Sequence, residues 1–186
     1  SLDTAHATAW NAVKEKAKSP YHFAFDKDRE VFHNEELEKV IEAKAFYFLI
    51  TEDEKVGKEA VRLASDYLSV LEFGNVSYGD ITREVGRAIY TACLVYDWCY
   101  SLMNTDSRAQ LRRDLMRLST DMEMGWPPFF GIESVVNGHG NEAQICRDFL
   151  SMSIAIYDED PLPYKYTSYW ILDQLVPLRK FEYQSP

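Results

Sequence analysis

Apolar residues recur at intervals of three and four along most of the chain, which is the spacing of one buried helix face. The clearest case is the segment of about 81–103. Its apolar positions are Val85, Ala88, Ile89, Ala92, Val95, Tyr96, Cys99 and Leu102. No segment gives a clear strand pattern. The periodicity therefore predicts an all-α chain of about seven helices.

The predicted helices cover about 2–17, 35–50, 52–72, 81–103, 106–124, 141–157 and 164–176. Two of the turns between them contain residues that commonly begin a helix. The segment from Thr51 to Glu54 fits a capping box, and the segment from Asn104 to Asp106 should end one helix and cap the next. Short connections between amphipathic helices favour antiparallel pairs. Such pairs, placed side by side, predict an α/α solenoid or (α/α) toroid, although the sequence has no strict repeat.

Composition and charge narrow the classes of function. Acidic residues outnumber basic ones by 30 to 20 in 186 residues, which gives a formal net charge of -10. A general nucleic-acid or anionic-membrane binder needs a surplus of Lys and Arg, so neither partner is expected. The longest apolar run, 45–50, is too short to cross a bilayer, and no signal peptide is recognisable. The 26 aromatic residues (4 Trp, 12 Tyr and 10 Phe) exceed what a small core needs. A sugar-binding cleft lined with aromatic side chains therefore remains an alternative use for the surplus.

Metal and cofactor chemistry is not indicated. The three cysteines are Cys93, Cys99 and Cys146, and they form no CxxC motif. They are expected to be buried thiols that act as small apolar residues. No His or Cys has the spacing of a zinc site. We therefore expect no metal and no cofactor in this chain.

The segment 136–144 brings an imidazole, a carboxylic acid and two amides to a predicted loop-to-helix junction. His139 and Glu142 are three residues apart across the helix start, so both could face one cleft. Glycines on both sides of the histidine would let a chain-like ligand approach closely. Asn141 with Gln144 also fits a capping box, in which case the glycines only shape the turn. Both interpretations remain open on the residues alone.

Three further residues are candidates for ligand binding. Arg83 and Arg87 lie at the start of the predicted fourth helix, where cations oppose the helix dipole. They are either surface residues paired with Glu84 or Glu59, or a clamp for a carboxylate or sulfate. Trp126, which two prolines follow, is either a rigid helix stop or a platform on which a sugar stacks.

Several short motifs, taken in order, resemble the heparinase II/III-like polysaccharide lyases. They are Ile81-Thr82-Arg83, Val95-Tyr96-Asp97-Trp98-Cys99-Tyr100, Pro127-Pro128, Gly138-His139 with Glu142, Arg147-Asp148 and Ile154-Ala155-Ile156-Tyr157-Asp158-Glu159. The resemblance runs from about Phe46 to the C-terminus. It implies an N-terminal (α/α) toroid followed by β-sandwich domains, and a periplasmic or secreted location. Residues 1–186 would then be a single α-helical domain, an incomplete toroid, with the β-sandwich domains outside this chain.

The resemblance also implies roles for residues. Members of this family cleave acidic glycans by β-elimination, which requires a group that neutralises the uronate carboxylate as the enolate forms. Glu142 matches that neutralising acid and must keep its proton near neutral pH. His139 matches the catalytic histidine, and Arg83 matches an arginine that contacts the acidic substrate. The family's catalytic Tyr and second His would lie beyond Pro186. Little or no lyase activity is therefore expected from these 186 residues alone.

Two alternatives stay open. The chain could be a noncatalytic α-helical module that binds glycans or acts as a scaffold. It could also belong to a glycoside hydrolase, which needs two carboxylates, and Glu133 and Glu142 are the candidates near the loop. In either case an odd number of helices should leave an apolar edge exposed. That open toroid edge favours association with the missing part of the protein, or self-association with another copy of the chain.

Overall fold

The computed structural model describes residues 4–23, 34–72, 81–120, 142–182 and 184. Its α-helices are α1 (Thr4–Lys18), α2 (Glu35–Thr51), α3 (Glu54–Val70), α4 (Ile81–Trp98), α5 (Thr105–Ser119), α6 (Glu142–Ala155), α7 (Leu162–Ser168) and α8 (Val176–Glu182). A π-helical segment, Tyr169–Leu175, joins α7 to α8, and a 3₁₀ turn, Tyr100–Leu102, follows α4. No strand occurs in these ranges, so the all-α prediction is confirmed.

Helices α4 and α6 lie side by side and run in the same direction. Near their starts, Gln144 Nε2 donates a hydrogen bond to the backbone carbonyl of Arg83 at 3.1 Å. Just beyond their ends, Tyr100 Oη donates to Glu159 Oε1 at 2.8 Å. The two helices therefore begin at the same end of the fold.

Helix α2 runs parallel to α4 on the other side. Thr91 Oγ1 of α4 donates to Glu42 Oε1 of α2 at 2.7 Å. Farther along both helices, the rings of Phe46 and Trp98 have centroids 5.7 Å apart. Helices α2, α4 and α6 thus form one parallel layer, and their starts together are called its amino end.

Helices α3 and α5 form a second layer that runs in the opposite direction. The ammonium of Lys44 in α2 lies 3.1 Å from Glu59 Oε2 near the start of α3. At the other end of α3, the guanidinium of Arg117 in α5 donates to the backbone carbonyls of Leu68 and Leu71 at 2.7 and 2.9 Å. The result is a two-layer array of antiparallel helix pairs, and closure into a toroid stays a prediction.

The core lies mainly between these two layers. Its largest fully buried apolar side chains are Tyr67, Tyr96, Phe149, Leu37, Ile41, Leu63, Leu68, Leu71, Ile89, Leu111 and Leu115. Each such aliphatic or phenyl side chain contributes about 1.5–3 kcal/mol when it leaves water. The apolar positions predicted for α4 are all buried, and Leu102 lies partly buried in the following 3₁₀ turn. The periodicity therefore identified the buried face of α4 correctly.

The ends of the helices differ from the prediction in two places. The capping box at Thr51 to Glu54 is wrong in register, because α2 continues through Thr51 and Glu52 takes a left-handed φ of 58°. The N-cap of α3 is Asp53, whose Oδ1 accepts the backbone N–H three residues on at 3.4 Å. Asn104 caps α5 in the same way at 2.8 Å, as predicted. The seventh predicted helix continues through the π-helical segment to Glu182 instead of ending near 176.

The long helical segment from α7 to α8 runs back along α6. Its outward side presents exposed apolar side chains, among them Leu162, Tyr169, Leu172 and Val176. An exposed apolar row agrees with the expected open edge of the helix array. Self-association through it stays a prediction.

Candidate functional site

Three of the five predicted site residues lie within the described ranges, and all three lie at the amino end of the α2/α4/α6 layer. Glu142 is the first residue of α6, and Arg83 and Arg87 lie in the first two turns of α4. The parallel packing of α4 and α6 places them at the same end of the fold. His139 and Trp126 lie outside the described residues.

Glu142 is held by Arg179, which the sequence did not single out. Arg179 Nε donates to Glu142 Oε1 at 3.1 Å, and Nη2 donates to the second carboxylate oxygen. The α7–α8 segment makes this contact by running antiparallel to α6. A guanidinium and a helix amino end both favour the ionised carboxylate. The protonated Glu142 that the resemblance implies therefore requires this ion pair to open.

Arg83 and Arg87 each face acidic residues. Arg83 Nε donates to Glu84 Oε1 at 2.8 Å, which is one of the two predicted pairings. Arg87 Nη2 lies 3.6 Å from Glu35 Oε1, and Arg87 Nε lies 3.8 Å from Glu38 Oε2. The predicted alternative pairing with Glu59 is therefore wrong. Both guanidinium groups keep about two fifths of their side-chain surface exposed, at 41% and 39%.

Asp148, one turn and a half into α6, is a fully buried carboxyl group. Arg147 Nε donates to its Oδ1 at 2.7 Å, while Oδ2 receives no hydrogen bond of ordinary geometry from the described residues. Burial raises the pKa of Asp148 to about 6, against the opposing effects of Arg147, Gln144 and Arg87. The group can therefore exchange a proton close to neutral pH.

Arg147 is fixed from two sides. Asp148 binds its Nε, and its guanidinium carbon lies 4.4 Å from the ring centroid of Tyr90 in α4. The side chain nevertheless stays 48% exposed. A guanidinium that is already oriented loses little entropy when an oxyanion binds its free edge. Arg83, Arg87, Arg147 and Arg179 together are called the arginine cluster.

Buried acidic and phenolic groups lie beside the cluster. Glu38 and Glu84 are almost fully buried next to Arg87 and Arg83. Tyr67 of α3 is also buried there, and burial, followed by the charge of Glu38, raises its pKa. A phenol with a raised pKa stays protonated at neutral pH, so Tyr67 does not supply a phenolate base at this end.

Sequence reasoning missed Arg179 and assigned no role to Asp148. One signal was available for Asp148, since it shares an apolar helix stripe with Ile145, Phe149 and Met152, all of them buried. A carboxylate on such a stripe is either paired or neutral. No comparable signal exists for Arg179, because its contact with Glu142 depends on the return of a distant helix.

No protein-family profile matches the chain, and no curated protein matches it at a significant level. In the described ranges, no helix has both the length and the apolar character needed to cross a membrane. In the same ranges, no group of three or more His, Cys, Asp or Glu side chains is placed to hold a metal ion. The fold and site define an all-α protein with an arginine-rich amino end.

Proposed function

We propose that the chain is part of a polysaccharide lyase that cleaves a uronate-containing glycan, sulfated or not, by β-elimination. The observation that supports this proposal best is the ion pair of Glu142 with Arg179 at the end of the fold that also holds Arg83, Arg87 and Arg147, in a chain of net charge -10. A guanidinium has five N–H donors, and one carboxylate occupies at most two of them. Arg87 and Arg147 can therefore bind a substrate carboxylate or sulfate at their exposed edges while they keep their internal partners.

The ion pair of Glu142 with Arg179 suggests how the substrate prepares the site. An incoming uronate carboxylate competes with Glu142 for Arg179. Glu142 then faces an anion without its cation, and a nearby like charge favours the protonated acid. In that state Glu142 donates a hydrogen bond to the uronate carboxylate and stabilises the enolate. His139 keeps the role of the adjacent catalytic histidine, which rests on the resemblance.

The reaction itself needs two more proton transfers. A base removes the proton on C5, the C4–O4 bond breaks as the C4–C5 double bond forms, and an acid protonates the departing O4. On the resemblance, the tyrosine and second histidine for these steps belong to parts of the protein that follow residue 186. The described arginines and Glu142 supply the binding and neutralising side of the site.

Product analysis with the full-length protein tests this function. Heparin, heparan sulfate, chondroitin sulfate and alginate would be offered, and the unsaturated uronate product would be followed by its ultraviolet absorbance. Glu142→Gln and His139→Ala should each lower the rate strongly. The control variant Asp66→Asn, which replaces an exposed acidic residue of α3, should leave the rate unchanged. Wild-type rates in both site variants would contradict the assignment.

A binding measurement separates the lyase from the noncatalytic glycan-binding module. Arg147→Gln should weaken the binding of a heparin oligosaccharide severalfold. Arg62→Gln removes the same charge from an exposed arginine of α3 and is the matched control. Arginine-dependent binding without any unsaturated product from the full-length protein would favour the module over the lyase.

A further inference from the structure

A second concave region lies at the opposite end of α4 and α6. Along α4, Asp97 at this region lies roughly 21 Å beyond Arg83 and roughly 15 Å beyond Arg87. It is a cavity of about 740 Å³, within the usual range for small-molecule sites. Its walls include three tyrosines and three carboxylates, namely Tyr100, Tyr157, Tyr164, Asp97, Asp158 and Glu159. It is called the tyrosine cavity.

The tyrosine rings form a fixed aromatic wall. The rings of Tyr157 and Tyr164 meet at 85° with centroids 5.2 Å apart, which makes a corner. Tyr100 is oriented by its hydrogen bond to Glu159 at 2.8 Å. The guanidinium of Arg108 lies over the Tyr100 ring, 3.8 Å from its centroid. One cation of the chain thus already rests on a ring of this wall.

The electrostatics of the cavity also favour a cation. The carboxyl ends of α4 and α6 meet here, and helix carboxyl ends bear partial negative charge. Asp97, Asp158 and Glu159 add formal negative charge at these ends, which helix stability alone disfavours. Tyr96, beside these carboxylates, is fully buried, and its hydroxyl makes no hydrogen bond of ordinary geometry with the described residues. Burial, followed by the charge of Glu159, raises the pKa of Tyr96 to about 12 against the opposing charge of Arg112.

We propose that the tyrosine cavity binds a small organic polycation, namely an aliphatic diamine or polyamine with primary ammonium groups. Electron-rich tyrosine faces attract ammonium groups. The carboxylates can pair with the ammonium groups, and the methylene chain can pack against the tyrosine rings and the exposed side chain of Ile154. An acidic glycan would be repelled by the three carboxylates. This site is therefore distinct from the arginine cluster, and it does not depend on the lyase proposal.

Calorimetric titration of the 186-residue chain with spermidine tests the proposal. Saturable binding is expected at fixed ionic strength. Tyr157→Leu keeps an apolar side chain but removes the aromatic face, and Asp158→Asn removes one charge. Each should weaken binding at least fivefold. Both residues are exposed, and circular dichroism would confirm that the variants fold. Asp66→Asn is the control for loss of one distant negative charge.

Three results would overturn the proposal. The first is the absence of saturable binding. The second is full displacement of spermidine by magnesium ion at equal charge concentration, since this would indicate attraction to negative charge alone. The third is unchanged affinity in Tyr157→Leu, because the aromatic wall would then have no part in binding.

Discussion

Replacement of Asp148 by Asn tests whether the buried carboxyl group of α6 titrates as its surroundings require. Asn keeps the shape and a hydrogen-bond acceptor for Arg147 but cannot ionise. In the wild type, burial raises the pKa from the ordinary 3.8 to about 6. The groups that face the carboxyl are Arg147 and Gln144 of α6 and Arg87 of α4, which all favour ionisation, and the buried thiol of Cys93. Burial, which raises the pKa, outweighs the three groups that lower it.

The sign and size of the effect follow from proton binding. Well below pH 3.8 the carboxyl is protonated in both the folded and the unfolded chain, and the pKa shift then has no effect on the free energy of unfolding. As the pH rises, the unfolded chain releases its proton first, so the free energy of unfolding falls until the pH passes about 6. A shift from 3.8 to about 6 corresponds to roughly 3 kcal/mol in total. About 2 kcal/mol of this should develop between about pH 4 and about pH 7.5.

Urea unfolding, followed by circular dichroism at several pH values, measures this loss. Between about pH 4 and about pH 7.5, the free energy of unfolding of the wild type should fall by about 2 kcal/mol more than that of Asp148→Asn, because the other titrating groups are common to both proteins. Asp66→Asn, which removes an exposed carboxylate, should follow the wild-type profile. Parallel pH profiles for the wild type and Asp148→Asn would refute the reasoning. So would a wild type that gains stability relative to the variant as the pH rises.

Three further predictions concern packing and reactivity. Lys44→Met should lower the free energy of unfolding by about 2–4 kcal/mol. It removes a buried ammonium that donates to two backbone carbonyls at the end of α1 and to the carboxylate of Glu59. A loss below about 0.5 kcal/mol, measured by urea unfolding, would contradict this. Gly57→Ala should cost about 1–2 kcal/mol despite the higher helix propensity of alanine, because the new Cβ would lie 2.5 Å from Leu102 Cδ1 and 2.7 Å from Cγ of the Phe48 ring; a raised urea midpoint would contradict this. Cys93 and Cys99 should react with a disulfide reagent at neutral pH only as the chain unfolds, since burial raises the pKa of both thiols; rapid labelling of either in the native protein, mapped by mass spectrometry, would contradict that.

The helical fold was predictable because the signal is local. The side chains that α4 buries repeat every three or four residues, and that repeat depends on no other helix. Helix ends were less predictable, because two nearby residues are each suited to be the N-cap of α3. Thr51 and Asp53 are both good N-cap residues, and the left-handed Glu52 decided in favour of Asp53. The π-helical segment after α7 has no comparable sequence signal.

The candidate site was only partly predictable, because it depends on how helices pack. Spacing placed Arg83 and Arg87 together on one helix, but only the parallel contact of α4 with α6 places them at the same end as Glu142. Arg179 reaches Glu142 across 37 residues of chain. The tyrosine cavity likewise joins Tyr100 to side chains that lie more than fifty residues later in the sequence. Such contacts leave no periodic pattern in a single sequence.

The charges of α4 connect the two proposed sites. Arg83 lies in its first turn and Asp97 in its last turn, so each opposes the dipole of the helix that holds it. A charge in the favourable orientation contributes about 0.3–1 kcal/mol. Glu84 supplies such a charge in the first turn of α4, whereas its last turn has no basic residue. At the amino end Glu84 pairs with Arg83 and offsets its charge, while a cation bound beside Asp97 would offset the unfavourable charge at the carboxyl end. The net charge of -10 is compatible with an anion site, because Arg83, Arg87, Arg147 and Arg179 all lie at the amino end of the layer. At the other end, Arg108 lies beside the carboxylates of the tyrosine cavity.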